Sequence, residues 1–174
     1  MRIQQMRPGD ARRQASWLVA QEPWKSLGYD ARRLGAWLAE SARKERVSMT
    51  LRRGEPAGLV VVQPDVLLGD FVALLAVRPE AAGRGIGSAL IESAARRTFR
   101  RRRWLYVSSD AANRGAAAFY RKLGFEAVGR LPDLIAAERV EILWRRGRPA
   151  PTANRRDRAR VIRGGLRRKV PRRK

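Results

Sequence analysis

Apolar positions along this chain change their period several times, and each change marks an element. Arg2–Arg7 reads as a short opening strand, closed by Pro8-Gly9-Asp10. Behind it Ala11, Ala15, Leu18 and Val19 recur at helical spacing, with Asp10 in position to cap that helix. An aromatic-bearing connection, Glu22–Tyr29, leads to Asp30, which caps a second helix carrying Leu34, Trp37 and Leu38 on one face. The period then drops to two. Val47–Leu51 and Ala57–Val62 are strands around an Arg52-Arg53-Gly54-Glu55 turn, and Gln63–Gly69 is a connection opened by a Pro-Asp turn. Asp70–Val77 is almost wholly apolar, as a central strand covered on both faces would be. A glycine-rich loop over Arg78–Gly87 enters a helix from about Ser88 to Arg101. Trp104–Val107 is a strand, and Asn113–Leu123 a helix that Gly124 stops before the apolar Phe125. Phe125–Leu131 and Val140–Trp144 form a closing hairpin. The predicted order is β-α-α-β-β-β-α-β-α-β-β, an α/β (α+β) domain with a central mixed sheet flanked by helices.

Charge divides the chain in two. Residues 1–144 hold 25 Lys and Arg against 15 Asp and Glu, whereas residues 145–174 hold 14 against 1, so more than half of the net +23 lies in the last 30 residues. Those residues include no aromatic side chain, three prolines and a Gly-Gly pair, and bury too little apolar surface to offset chain entropy. The expectation is one folded domain over 1–146 and a disordered basic tail over 147–174. Arg outnumbers Lys 34 to 5, a bias that codon composition also produces, so charge alone is weak evidence for a nucleic-acid role.

The residues that are missing narrow the chemistry. With no Cys and no His there is no disulfide, no thiolate nucleophile, no Zn–thiolate site and no Ser-His-Asp triad, and no metal site is expected. Any chemistry falls to carboxylates, hydroxyls, phenols, Arg or Lys, backbone amides or a borrowed cofactor. No apolar run approaches the roughly 18 residues of a membrane span, and the first residues have no apolar signal region, so the expected location is cytoplasmic.

The most informative segment is Leu74–Ile91. An apolar strand runs into Gly83-Arg84-Gly85-Ile86-Gly87-Ser88, where a helix begins. Glycines let a ligand approach the backbone, and a helix N-terminus offers unpaired N–H groups at its positive end, which together suit phosphate or pyrophosphate. The loop is no P-loop, since no Gly-Lys-Ser/Thr follows, and no dinucleotide fingerprint, since Ser88 holds the last glycine position. The plainer reading is a strand–helix joint whose glycines serve only the turn. Further on, Asn113 and Tyr120 are seven residues apart and share a helix face, so an amide and a phenol can meet one extended ligand. Taken singly, Asn113 is an N-cap and Tyr120 a core residue.

The run Leu74-Leu75-Ala76-Val77 through Gly83-Arg84-Gly85-Ile86-Gly87-Ser88 resembles the acetyl-CoA-binding motif of the GNAT family of N-acetyltransferases, Gln/Arg-x-x-Gly-x-Gly/Ala. Gly85 and Gly87 match its two small positions, and Ala82 departs at the first. About 30 residues on, Asn113 through Phe119-Tyr120 to Leu123-Gly124-Phe125 is similar to the family's second motif, and the resemblance extends over residues 2–146. It implies a GNAT fold whose loop amides, over Ala82 to Ser88, hold the pyrophosphate, whose strand Leu75, Ala76 and Val77 runs beside the pantetheine arm, and whose Asn113 contacts that arm. Tyr120 would donate a proton to the departing CoA thiolate, a role suited to a phenol that stays protonated at neutral pH.

The implied activity is transfer of an acetyl group from acetyl-CoA, as co-substrate, to a primary amine on a small molecule or a protein N-terminus. Without cysteine the transfer is expected to be direct, in a ternary complex. The amine must lose a proton, and Glu22, Asp70 and Asp110 are the carboxylates considered for that role, none marked by a motif. Glu22, Trp24, Tyr29 and Asp70 are the candidate acceptor-binding residues. Arg100–Arg103 suits a helix C-terminus or a phosphate of CoA. The alternative is a nucleic-acid-associated or non-catalytic protein of the same fold, binding phosphates weakly and non-specifically through residues 147–174. The sequence leaves a homodimer open.

Overall fold

The computed structural model describes residues 2–149. In chain order it contains β1 (Ile3–Gln5), α1 (Ala11–Val19), α2 (Ala31–Arg43), β2 (Val47–Arg52), β3 (Glu55–Val66), β4 (Gly69–Val77), α3 (Ile86–Thr98), β5 (Trp104–Asp110), α4 (Arg114–Lys122), β6 (Glu126–Pro132) and β7 (Val140–Gly147). This is the predicted order, with short 3-10 turns added at Pro8–Asp10 and Pro79–Ala81. The strands form one mixed sheet in the order β1-β2-β3-β4-β5-β7-β6, in which β4 and β5 run parallel.

Strand alternation feeds two cores. Leu59, Val61, Leu74 and Ala76 face α1 and α2, meeting Ala15, Leu18, Leu34 and Leu38. Val60, Val62, Val72, Leu105 and Val107 face the other way, onto Ile86, Leu90 and Ile91 of α3 and Tyr120 of α4. Asp30 caps α2 as expected, its Oδ1 accepting from Arg33 N at 2.8 Å. Asp10 does not cap α1. It is already in a helical conformation (φ −80°, ψ −13°) within the preceding turn, and a cap needs an extended backbone to aim its side chain back at the first N–H groups.

Several boundaries differ for local reasons. The Pro64-Asp65 pair does not end β3, which continues to Val66; the reversal is Leu67-Leu68, both at positive φ, joining Val66 to Gly69 as a two-residue hairpin. Leu-Leu carries none of the glycine or asparagine preference that marks such turns in sequence. Helix α3 starts at Ile86, because Gly85 adopts a left-handed φ of 76° and serves as its N-cap. Strand β7 runs past Trp144 to Gly147, and Arg148 N donates to Arg103 O. The remainder of the basic segment, from 150 onward, lies outside the described residues, and with it the nucleic-acid reading. Among the described residues, no helix is long and apolar enough to cross a membrane.

One irregularity matters for function. β4 pairs with β5 only from Asp70↔Leu105 to Val72↔Val107, yet continues along β3 as far as Val77↔Gly58. Register along β3 jumps from Val61↔Leu74 to Val62↔Val72, so Ala73 is a bulged residue with no partner. The two central strands therefore part at Ala73. Beyond it, β4 is paired on one edge only and is not covered on both faces: Ala73 is exposed, and Leu75 and Val77 are half-buried.

Candidate functional site

The gap between β4 and β5 opens into a cleft of about 920 Å³. One wall is Val72, Ala73, Leu75 and Val77 of β4, continued by Ala82; the other is Val107–Asp110 of β5 with Asn113, Ala116, Phe119 and Tyr120 of α4. Glu22, Trp24 and Tyr29 of the α1–α2 connection close one end, together with Ile135, Arg139 and Glu141 from the β6–β7 side. Sequence candidates from five separate segments thus meet at one opening.

Along the β4 wall, the edge left by β5 presents backbone N–H and C=O groups that need partners. An extended ligand carrying amides can pair with them as a missing strand would. Ala76 contributes backbone only, since its side chain is buried on the α1–α2 side. Past Ala82, Gly83 and Gly85 both sit at positive φ, and a Cβ on either would meet nothing within 4 Å, so the space above them is open. The first N–H groups of α3, from Ile86 to Ser88, have no partners within their own helix. Gly87 serves packing: a Cβ there would come within 3.3 Å of Phe119 and 3.6 Å of Val77. Arg84 and Ala82 are exposed, Ile86 is buried and Ser88 is half-buried.

On the α4 wall, Asn113 caps its helix, with Oδ1 accepting from Ala116 N at 2.9 Å, which leaves the Nδ2 group to face a ligand. Tyr120 lines the cleft although only 6% of it is exposed. Its ring meets Phe119 and Phe125 edge-on, at centroid distances of 5.2 and 5.6 Å. Burial pushes the phenol's pKa well above its ordinary value, and the nearby Glu141 adds to the shift. The hydroxyl therefore keeps its proton at any physiological pH.

Glu141 is the residue that sequence reasoning missed. It lies opposite Asp110 across β5 and β7, is buried, and lines the cleft beside Tyr120. Burial raises its carboxyl above the usual range and Asp110 pushes the same way, while Ser108 and Arg139 counter them. A carboxylate raised in this way holds a proton more readily than an ordinary one and is the candidate proton acceptor of the cleft. The one sequence signal was an acidic residue inside the apolar strand Val140-Glu141-Ile142-Leu143-Trp144.

The other carboxylates separate by placement. Asp110 lines the cleft, but its Oδ1 accepts from Ala112 N at 2.7 Å and its Oδ2 lies 3.4 Å from Arg139 Nη1. Glu22 is exposed, and hydrogen bonds from Ser26 hold its carboxyl below the usual range, so it serves as a fixed negative charge rather than a base. Asp70 is not at the site. It is buried at the start of β4, its Oδ2 accepting from Thr98 Oγ1 at 2.7 Å, away from the cleft. The expected acceptor role for Asp70 is therefore withdrawn: register turns its side chain toward the C-terminal end of α3. Arg100–Arg103 follows α3, about 20 Å along the helix from the glycine loop, so it does not face phosphates held there. Arg102 instead pairs with Asp65, and Arg103 stacks on Trp104.

A family model described as an acetyltransferase (GNAT) domain matches residues 32–127, more than half of the chain. No curated protein matches this sequence. Among solved structures, an aminoglycoside 6′-N-acetyltransferase complexed with coenzyme A superposes with a TM-score of 0.73 at 18% identity, covering 87% of this chain and 99% of that one. Ard1 from Thermoplasma volcanium gives 0.73 at 18% identity, covering 86% and 98%. A ribosomal-protein-alanine N-acetyltransferase from Brucella melitensis gives 0.70 at 18% identity, covering 85% and 100%. At such identities these likenesses establish the fold.

Proposed function

Because this chain belongs to the GNAT acetyltransferase family, we propose that it transfers the acetyl group of acetyl-CoA directly to a primary amine bound in the cleft between β4 and β5. The observation that carries this reading is the parting of the two strands at Ala73, which leaves an unpaired β4 edge leading to the open glycine loop. An acyl-pantetheine arm has amides for that edge and a pyrophosphate for the N–H groups of Gly83 to Ser88. Asn113 would steady the arm through its Nδ2.

The chemistry divides between two side chains. The neutral amine nitrogen attacks the thioester carbonyl carbon; a C–N bond forms and the C–S bond breaks. Glu141 accepts the proton that the nitrogen sheds, directly or through one water, and Tyr120 donates its phenolic proton to the leaving sulfur. The proton gained by Glu141 then restores Tyr120, so the pair ends as it began. The products are an N-acetyl amine and CoA thiol. An amine that arrives as an ammonium loses its first proton to solvent before attack, because only the free base is a nucleophile.

Direct transfer has a kinetic consequence. With no cysteine to hold an acyl-enzyme, initial velocities measured against acetyl-CoA at several fixed amine concentrations should give intersecting reciprocal plots. Parallel plots would mean a covalent intermediate and would overturn the ternary-complex reading.

A further inference from the structure

The acceptor end of the cleft holds more than the transfer chemistry needs. A second pocket of about 490 Å³, within the size range of small-molecule sites, lies beside it. Trp24, Tyr29 and Ala73 line both spaces, so the two adjoin. Trp37, Leu34 and Leu74 make the far wall. On the opposite lip Ile135 lines the cleft and is 46% exposed, as Tyr29 is 42% exposed on the near lip.

Charge at this end runs against the rest of the molecule. In a chain of net +23, the acceptor end presents Glu22, Asp110 and Glu141, against Arg139, which is paired with Asp110. A single ammonium is favoured among these carboxylates, and aromatic faces add cation–π attraction. A polycation is repelled by the strongly positive surroundings before it arrives.

Resting on the acetyltransferase reading above, we infer that the acceptor is a small primary monoamine carrying a flat apolar or aromatic body. Its amine lies among Glu22, Asp110 and Glu141, and its body fills the second pocket between Trp24, Tyr29 and Trp37. Trp24, Tyr29, Leu34, Trp37 and Leu74 supply apolar and aromatic surface for such a body, and Asp30 and Arg33 also line the pocket.

The test uses the full chain with saturating acetyl-CoA, reading CoA thiol release and acetylated product by mass. The acceptors are 2-phenylethylamine, propylamine, spermine, kanamycin and an Ala-initiated tetrapeptide. The kcat/KM for phenylethylamine should exceed that for propylamine by about 10- to 100-fold, the gain expected for filling an apolar pocket. That ratio should fall toward one in Trp37→Ala and be largely kept in Trp37→Phe. Tyr29→Ala, at an exposed position, should lower the same ratio and covers the case in which the Trp37 change unfolds the chain. Propylamine, spermine or kanamycin matching phenylethylamine would overturn the inference, as would a preference for the tetrapeptide. If acetyl-CoA binds and amines are acetylated without an aromatic preference, this inference alone fails; if acetyl-CoA does not bind, the transferase reading fails with it.

Discussion

Replacing Tyr120 by Phe should lower kcat by about 100-fold or more, the usual contribution of a positioned acid, while acetyl-CoA affinity stays within about a factor of two. The substitution is conservative in packing. Phe retains the edge-on contacts with Phe119 and Phe125 and the tilted contact with Trp144, so the fold and the cleft wall should persist. What disappears is the proton for the leaving sulfur. Because burial raises the phenol so far, its ionisation does not shape the wild-type pH profile, and the profile of the variant should be scaled down without being displaced. Steady-state kinetics across pH, together with a binding titration, checks all three points. Wild-type turnover in Tyr120→Phe would remove the phenol from the mechanism.

Glu141→Gln should cost a similar factor, about 100-fold or more in kcat, and should also change the shape of the pH dependence. In the wild type, activity should fall on the acid side for two reasons: the amine becomes protonated, and so does Glu141 below its raised pKa. The variant should keep the first limb and lose the second. Stability should move the other way. The folded carboxyl has a higher pKa than the unfolded one, so between those two values the folded chain binds more protons and stability falls as pH rises. Above the folded pKa the full penalty of the buried charge is present, and Gln removes it. Glu141→Gln should therefore melt higher than wild type at pH 8 and close to it at pH 4. A variant that is slower yet more stable is the mark of a group kept for chemistry. Melting curves at the two pH values, with kcat, decide the matter; an unchanged kcat would move the base elsewhere.

Much of the fold was legible because its elements obey simple periods. The two N-terminal helices, the apolar β4, the glycine-led α3 and the Gly124 stop of α4 all follow from residue spacing, and Asn113 and Tyr120 of the second motif line the cleft. The features that build the site were less visible. The β4 bulge at Ala73 arises from the register of three strands at once, and no single run of residues announces it. The Leu67-Leu68 turn lacks turn-forming residues, so the Pro-Asp pair drew the strand boundary four residues early. Asp70 and Glu141 show the limit most clearly. Both are lone acids in apolar strands, and only pairing register decides that Asp70 turns toward Thr98 while Glu141 turns into the cleft beside Tyr120. Glu22 and Asp110 are candidate bases only because the chain has no histidine, and their hydrogen bonds and ion pair occupy them otherwise.

The claim on which the rest depends is that the parted strands and the glycine loop together hold acetyl-CoA. Calorimetric titration of the protein with acetyl-CoA at moderate salt, with ADP as the phosphate-bearing control, addresses it directly. Salt and the control are needed because a chain of net +23 attracts any polyphosphate through its charge. The account predicts saturable one-to-one binding of acetyl-CoA, tighter than that of ADP, because the pantetheine arm adds the β4 edge to the phosphate contacts. Equal binding of the two ligands, or none by acetyl-CoA, would contradict it.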